Sequence, residues 1–88
     1  MGPWLALLDA ALRERWKPPA DLRMDEATTI VSFTVSRQGR VTEIELERGS
    51  GRSALDALAI ASIPAKVPAP SGIEGDRLRV RYSFRTGR

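Results

Sequence analysis

Two alternating runs, "TTIVSFTVSR" (28–37) and "RVTEIELER" (40–48), flank the pair Gln38-Gly39. Strict apolar–polar alternation marks strands with one wet face, and a Gly-containing pair between two such runs reads as a hairpin loop. The register can be tested on paper. With Arg37 opposite Arg40, one side pairs Val35 with Thr42, Phe33 with Ile44 and Val31 with Leu46. The other side pairs Thr34 with Glu43, Ser32 with Glu45 and Ile30 with Glu47. A slip of one residue would mix the faces. Glutamine takes positive φ less readily than Asn or Asp, so a bulged turn with Gly39 in the left-handed region stands as the other arrangement.

The rest of the chain supplies a third strand and two helices. Trp4, Leu5, Leu8, Leu12 and Trp16 recur at helical spacing, so a helix is expected over about 4–16. Pro3 suits its first turn, and Lys17-Pro18-Pro19 ends it, because proline excludes the α conformation from the residue before it. Residues 18–27 read as a polar, extended connection. After the hairpin (about 28–48), Gly49 and Gly51 break the strand. Ser53 is read as an N-cap, with Asp56 three residues on in the manner of a capping box. Leu55, Leu58, Ala59 and Ile63 give that helix, about 53–62, an apolar stripe that Pro64 closes. The segment "PAKVPAPSG" is an irregular return path to "RLRVRYSFR", a strand over about 77–85.

Direction then fixes topology. A third strand returning after a helix runs antiparallel to the first strand, so an all-antiparallel sheet has the order second–first–third, with a right-handed crossover. Both helices cover the face bearing Val31, Phe33, Val35, Ile44, Leu46, Leu78, Val80, Tyr82 and Phe84. The expectation is a single two-layer α+β domain.

Composition closes off most chemistry. The 88 residues include neither cysteine nor histidine, which removes disulfides, thiolate or imidazole zinc sites and His-dependent triads. Asp56 is read as a helix N-terminal acid, and Glu43, Glu45 and Glu47 as exposed carboxylates without loop ligands. No enzyme, cofactor or metal site is expected. No apolar run approaches the ~18 residues needed to span a bilayer. The start "MGP" has the form of a cloning remnant, which would make the chain a piece of a longer protein.

The net charge of +3 is unevenly placed. Of fourteen basic side chains, five arginines lie in 77–88 with no acid, and the remaining nine face eleven acids over 1–76. A nucleic-acid binder spreads its cations more broadly and carries aromatic platforms on its wet face, and none is seen on this one. Instead, the wet face has a glutamate strand (Glu43, Glu45, Glu47), a hydroxyl strand (Ser32, Thr34, Ser36) and an arginine strand (Arg77, Arg79, Arg81). Small residues in the middle let the arginines lean about 9.6 Å across to the glutamates. Exposed pairs of this kind are worth about 0–1 kcal/mol each.

The ordered set "ERWKPP", "VSFTVSRQGRVTEIELERGSG", "SALDALAIASIPAKVPAP" and "LRVRYSF" resembles the C-terminal domains of the TonB and TolA energy transducers, from about Leu8 to Phe84. The opening "ERWKPP" is similar to TolA-type members. The chain departs from the pattern at Gln38-Gly39 (Asp-Gly in the families), at Gly49-Ser50-Gly51 (Ser-Ser-Gly) and at Leu58, where a small residue is common. The resemblance implies a periplasmic, non-catalytic domain at the far end of a transducer. An inner-membrane anchor and the contact with a proton-driven motor would lie in parts absent from this chain. The domain would grip an extended segment of an outer-membrane receptor or periplasmic partner.

Strand addition requires an edge with free backbone groups, and the last strand qualifies: it lies at one side of the derived order and has no proline. The expected docking residues are Arg77, Leu78, Arg79, Val80, Arg81, Tyr82, Ser83, Phe84 and Arg85. Trp16, Pro18, Pro19, Gly39, Gly51, Ser53 and Asp56 are expected to be structural, Trp16 as a plug beside the two prolines. Trp4 belongs to the helix's apolar stripe, with partial exposure and an interface or dimer role as the alternative reading. Reversing Arg79 to glutamate is expected to weaken acidic partners and spare the fold. A homodimer paired through the same strand is the competing reading.

Overall fold

The computed structural model describes residues 2–23, 26–70 and 75–86. The elements are α1 (Gly2–Arg15), a short α2 (Ala20–Arg23), β1 (Ala27–Ser36), β2 (Val41–Arg48), α3 (Ser53–Ala61) and β3 (Arg77–Thr86). The sheet is antiparallel with the order β2-β1-β3, as topology required. The main helices α1 and α3 lie on one face, so the fold is a two-layer α+β domain. The connection after Pro19, expected to be extended, instead winds into the single turn of α2.

The core lies between sheet and helices. Leu8 and Leu12 of α1, Val31, Phe33 and Val35 of β1, Leu55 and Ala59 of α3 and Phe84 of β3 are all 0–2% exposed. The α1 stripe is narrower than expected: Trp4, Leu8 and Leu12 are buried, while Leu5 is 45% exposed. Trp4 is buried with the stripe, which removes the alternative of an exposed ring, and its Nε1 donates to the Pro68 carbonyl at 2.7 Å. That bond ties the start of α1 to the proline-rich return path. At the other end of α1, Arg15 Nε donates to the Ser62 carbonyl (3.2 Å), and Ser62 Oγ donates to the Arg15 carbonyl (3.3 Å).

The hairpin differs from the two-residue turn. Ser36 N–H donates to the Arg40 carbonyl (2.9 Å) and Gly39 N–H to the Ser36 carbonyl (2.9 Å), so the loop is Arg37-Gln38-Gly39. Gly39 has φ +86°, the bulged arrangement that sequence had left as the other option. A side chain is doubly excluded at Gly39, because a Cβ there would meet the Val67 carbonyl oxygen at 2.2 Å. Val67 N–H donates to the Gly39 carbonyl (2.8 Å) and Val41 N–H to the Ala65 carbonyl (2.9 Å), which lays the return path against the start of β2.

The β1–β2 register is also corrected. Val31 opposite Leu46 and Ser32 opposite Glu45 are as expected, but Thr34 faces Thr42, Val35 faces Val41 and Ile30 faces Arg48. Two extra residues on β2 absorb the difference, and Glu43 sits at φ +53°, a strained value for a side-chain-bearing residue. These bulges turn Ile44 (38% exposed) and Leu46 (44% exposed) away from the tight core expected of them. By contrast, β1 and β3 pair without interruption from Ala27 opposite Thr86 to Ser36 opposite Arg77.

Ser53 is not the N-cap of α3. Arg52 holds that position with extended backbone and no side-chain capping bond, and Ser53 is the first helical residue. Asp56 leaves the expected capping box to bind across the fold: its Oδ1 accepts from Thr29 Oγ1 (2.8 Å) and from Ser50 N–H (2.9 Å). Partial burial works against its charge, but the bonds from the Ser50 N–H, the Thr29 hydroxyl and the Ser50 side chain outweigh it. They hold the carboxyl below its ordinary value. Gly51, at φ +93°, carries the chain out of β2 into α3.

Candidate functional site: the outer edge of β3

In an antiparallel ladder, residues alternate between those that exchange hydrogen bonds with the neighbour and those whose N–H and C=O point away. Arg37 N–H donates to the Asp76 carbonyl (3.2 Å), which continues the β1–β3 register one step past Ser36. Counting from that bonded pair, Leu78, Val80, Tyr82, Phe84 and Thr86 turn their backbone groups to β1. Arg77, Arg79, Arg81, Ser83 and Arg85 turn theirs outward. The side chains divide by the same parity. Val80 and Phe84 are buried, and Leu78 and Tyr82 are packed against the core. The nine residues expected to dock a partner thus split: the even positions serve the fold, and the odd ones carry the accessible backbone.

On the wet face, three arginine–glutamate pairs cross β1, as the spacing had suggested. Arg77 reaches Glu43 (3.7 Å), Arg79 pairs with Glu45, and Arg81 reaches Glu47 (3.3 Å). Arg79 does more than its neighbours. Its guanidinium also donates to Ser32 Oγ (2.8 Å), Thr34 Oγ1 (2.9 Å) and the Glu43 carbonyl (2.8 Å). It roofs the hydroxyls of the central strand. All three glutamates, considered as cation ligands from the sequence, are thereby occupied by arginine.

On the other face, α1 runs alongside the far half of β3. The Tyr82 hydroxyl donates to Asp9 Oδ1 (2.6 Å), and Arg13 Nε contacts Asp9 Oδ2 (3.1 Å). Burial, the bond to Asp9 and its negative charge push the Tyr82 phenol up to about 12, with Arg13 opposing. Trp16 packs on Phe84 with ring centroids 4.9 Å apart, and its Nε1 donates to the Arg85 carbonyl (3.0 Å). Pro18 is buried and Pro19 exposed. Asp9 and Arg13 were absent from the sequence-derived site. Their only signal was a four-residue helical spacing, which also describes any solvated ion pair.

The two sheet edges are unequal. The β2 edge is interrupted by two bulges and met at its start by the 65–67 segment, including a bridge between Arg40 and Lys66. The β3 edge is straight, and no strand among the described residues pairs with its outer side. Among the described residues, no group of three or more metal-ligating side chains gathers, and no helix is long and apolar enough to cross a membrane.

Fold and edge together define a small α+β domain with one interrupted and one uninterrupted sheet edge. The sequence model of the family described as TonB C terminal matches residues 1–84, so this chain belongs to the TonB C-terminal family, whose members are non-enzymatic energy-transducer domains. Two solution NMR structures of the Helicobacter pylori TonB C-terminal domain share its fold. One superposes with a TM-score of 0.77 at 21% identity, covering 99% of this chain and 82% of that one. The other, a shorter fragment, gives 0.72 at 21% identity, covering 96% and 92%. Among curated proteins nothing matches. Both similarities fall on the TonB side of the resemblance read from the sequence.

Proposed function

We propose that this domain is the protein-binding terminus of a periplasmic TonB-type energy transducer, serving transport across the cell envelope. It takes an extended segment of an outer-membrane or periplasmic partner as a fourth strand along β3. The observation that carries the reading is the inequality of the edges. A visiting strand needs a straight row of donors and acceptors, and bulges and loop contacts deny it on β2 while β3 provides it. Four to five added backbone bonds at a net ~0.5–1.5 kcal/mol each amount to several kcal/mol. After ordering costs, affinity in the micromolar range suits a contact that must also release.

The test separates edge from fold. Ser83 turns its N–H outward, so Ser83→Pro removes one docking donor and spares the β1–β3 ladder, since proline is tolerated on edge strands. Val80→Pro would instead break a bond to β1. A blocked synthetic peptide of alternating Thr and Val, added to labelled protein, should slow amide exchange at Arg77, Arg79, Arg81 and Ser83. Ser83→Pro should weaken that binding about tenfold with little change in thermal midpoint. Slowed exchange confined to β2, or none anywhere, would sink the proposal.

A second copy of this chain is the competing occupant of the same edge, since Glu43, Glu45 and Glu47 temper, without removing, the arginine repulsion between copies. Sedimentation decides this: a constitutive dimer that ignores added peptide would favour self-pairing.

A further inference from the structure

Trp16 sits where the outward row of β3 ends. Its indole N–H already fills the Arg85 carbonyl, which by ladder parity is the acceptor an incoming strand would reach after Ser83. Beside it, a groove of about 530 Å³ runs between α1 and β3, with Trp16, Tyr82 and Phe84 among its walls. Beside the rings, Tyr82 donates to Asp9 and Arg13 holds the same carboxylate, while Ser83 and Arg85 complete the lining. A polar side chain entering beside Tyr82 would meet a phenol and a carboxylate that are already paired, whereas an apolar one would take aromatic surface out of water. Strand pleating directs the side chain opposite Tyr82 toward the α1 side, and so to this groove.

We infer that Trp16 determines the specificity of the β3 edge. It ends the docked strand at Ser83 and, with Tyr82 and Phe84, walls a pocket that receives one apolar side chain of the docked segment. The inference rests on the strand-addition reading. Its consequence is a length limit. A visiting strand gains no acceptor beyond Ser83, and none before Arg77, because Gly75, the next outward position, already gives its carbonyl to Arg37 Nε (2.7 Å).

The experiment uses blocked Thr/Val peptides of seven and nine residues, titrated calorimetrically against the wild-type domain and Trp16→Phe. Phenylalanine keeps an aromatic ring against Phe84 and removes the donor. Wild type should bind both peptides within about twofold, and Trp16→Phe should bind the longer about two- to tenfold more tightly, the gain of one net backbone bond. A single Val→Asn replacement scanned along the shorter peptide should cost most at the residue whose methyl protons contact the Trp16 and Tyr82 rings in nuclear Overhauser spectra. If wild type prefers the longer peptide as strongly as the variant does, the stop is refuted. A flat scan refutes the pocket. No binding of either peptide to either protein refutes strand addition itself, and the inference with it.

Discussion

Replacing Arg79 by methionine isolates what the central arginine contributes. Methionine keeps the apolar stem over the sheet and removes every donor. Ser32 and Thr34, only 1% and 7% exposed, then lose a charged partner where water has poor access. A hydrogen bond to a charged group contributes about 1.5–3 kcal/mol, but the Arg79 side chain is 40% exposed, so water recovers part of the loss. A total of about 2–3 kcal/mol follows, well below the sum of four separate bonds. Arg77 and Arg81 are 68% and 66% exposed and hold one carboxylate each, worth about 0–1 kcal/mol. Urea unfolding followed by tryptophan fluorescence, with a slope of about 1 kcal/mol per molar, places the Arg79→Met midpoint about 2–3 M below wild type. The Arg77→Met and Arg81→Met midpoints should fall within about 1 M of wild type. Equal midpoints for the three variants would refute the reasoning. The structure also revises what Arg79→Glu should do: it sets a carboxylate against Glu45, so it costs more than methionine and does not spare the fold.

Asp56→Asn should lower stability at neutral pH by about 1 kcal/mol, because a neutral acceptor replaces a charged one for Thr29 and Ser50. The wild-type carboxyl is held below its ordinary value, so its contribution is complete above about pH 4 and is lost as pH falls through the lower folded value. Denaturant midpoints across that acid range should converge for the two proteins. Tyr82→Phe should act at the opposite end of the scale. The folded phenol is raised to about 12, so wild type loses this contribution as pH climbs from about 10 through 12, while the variant shows no such step. Gly39→Ala combines a left-handed backbone with a Cβ placed 2.2 Å from the Val67 oxygen. It should destabilise the domain by about 2–4 kcal/mol, and equilibrium unfolding at a midpoint near wild type would overturn that account.

The strand order, the layer arrangement and the arginine–glutamate ladder were legible because each follows from side-chain period and chain direction. Alternation at 28–37 and 77–85 can satisfy only one pairing, and the hydroxyl strand between the charged ones announces room for long side chains. The bulges of β2 were not legible. "RVTEIELER" alternates as cleanly as its partner, and neither its extra residues nor the return path that meets Gly39 and Val41 has a local residue signature. For the same reason Asp56 was recognised as an acid at a helix start while its partner Thr29, 27 residues away, was not. The bond from Trp16 to the Arg85 carbonyl was not legible, because helical spacing places the indole on α1 but does not show which carbonyl its N–H will meet.

The geometry of the edge also bears on which visitor it prefers. In the antiparallel self-pairing that leaves all four outward residues bonded, Arg77 of one copy faces Ser83 of the other, and Arg79 faces Arg81. Each guanidinium keeps its own glutamate on the β2 side, yet the arginines of the two copies become direct cross-strand neighbours, an arrangement that costs stability wherever like charges sit opposite. A foreign strand with hydroxyls or carboxylates at alternate positions avoids that contact and adds acceptors for the arginines at its border. The ladder therefore neutralises the wet face within the protomer while still disfavouring a copy of itself. Discrimination between self and partner then rests on the side chains flanking the new ladder, while most of the affinity comes from the backbone.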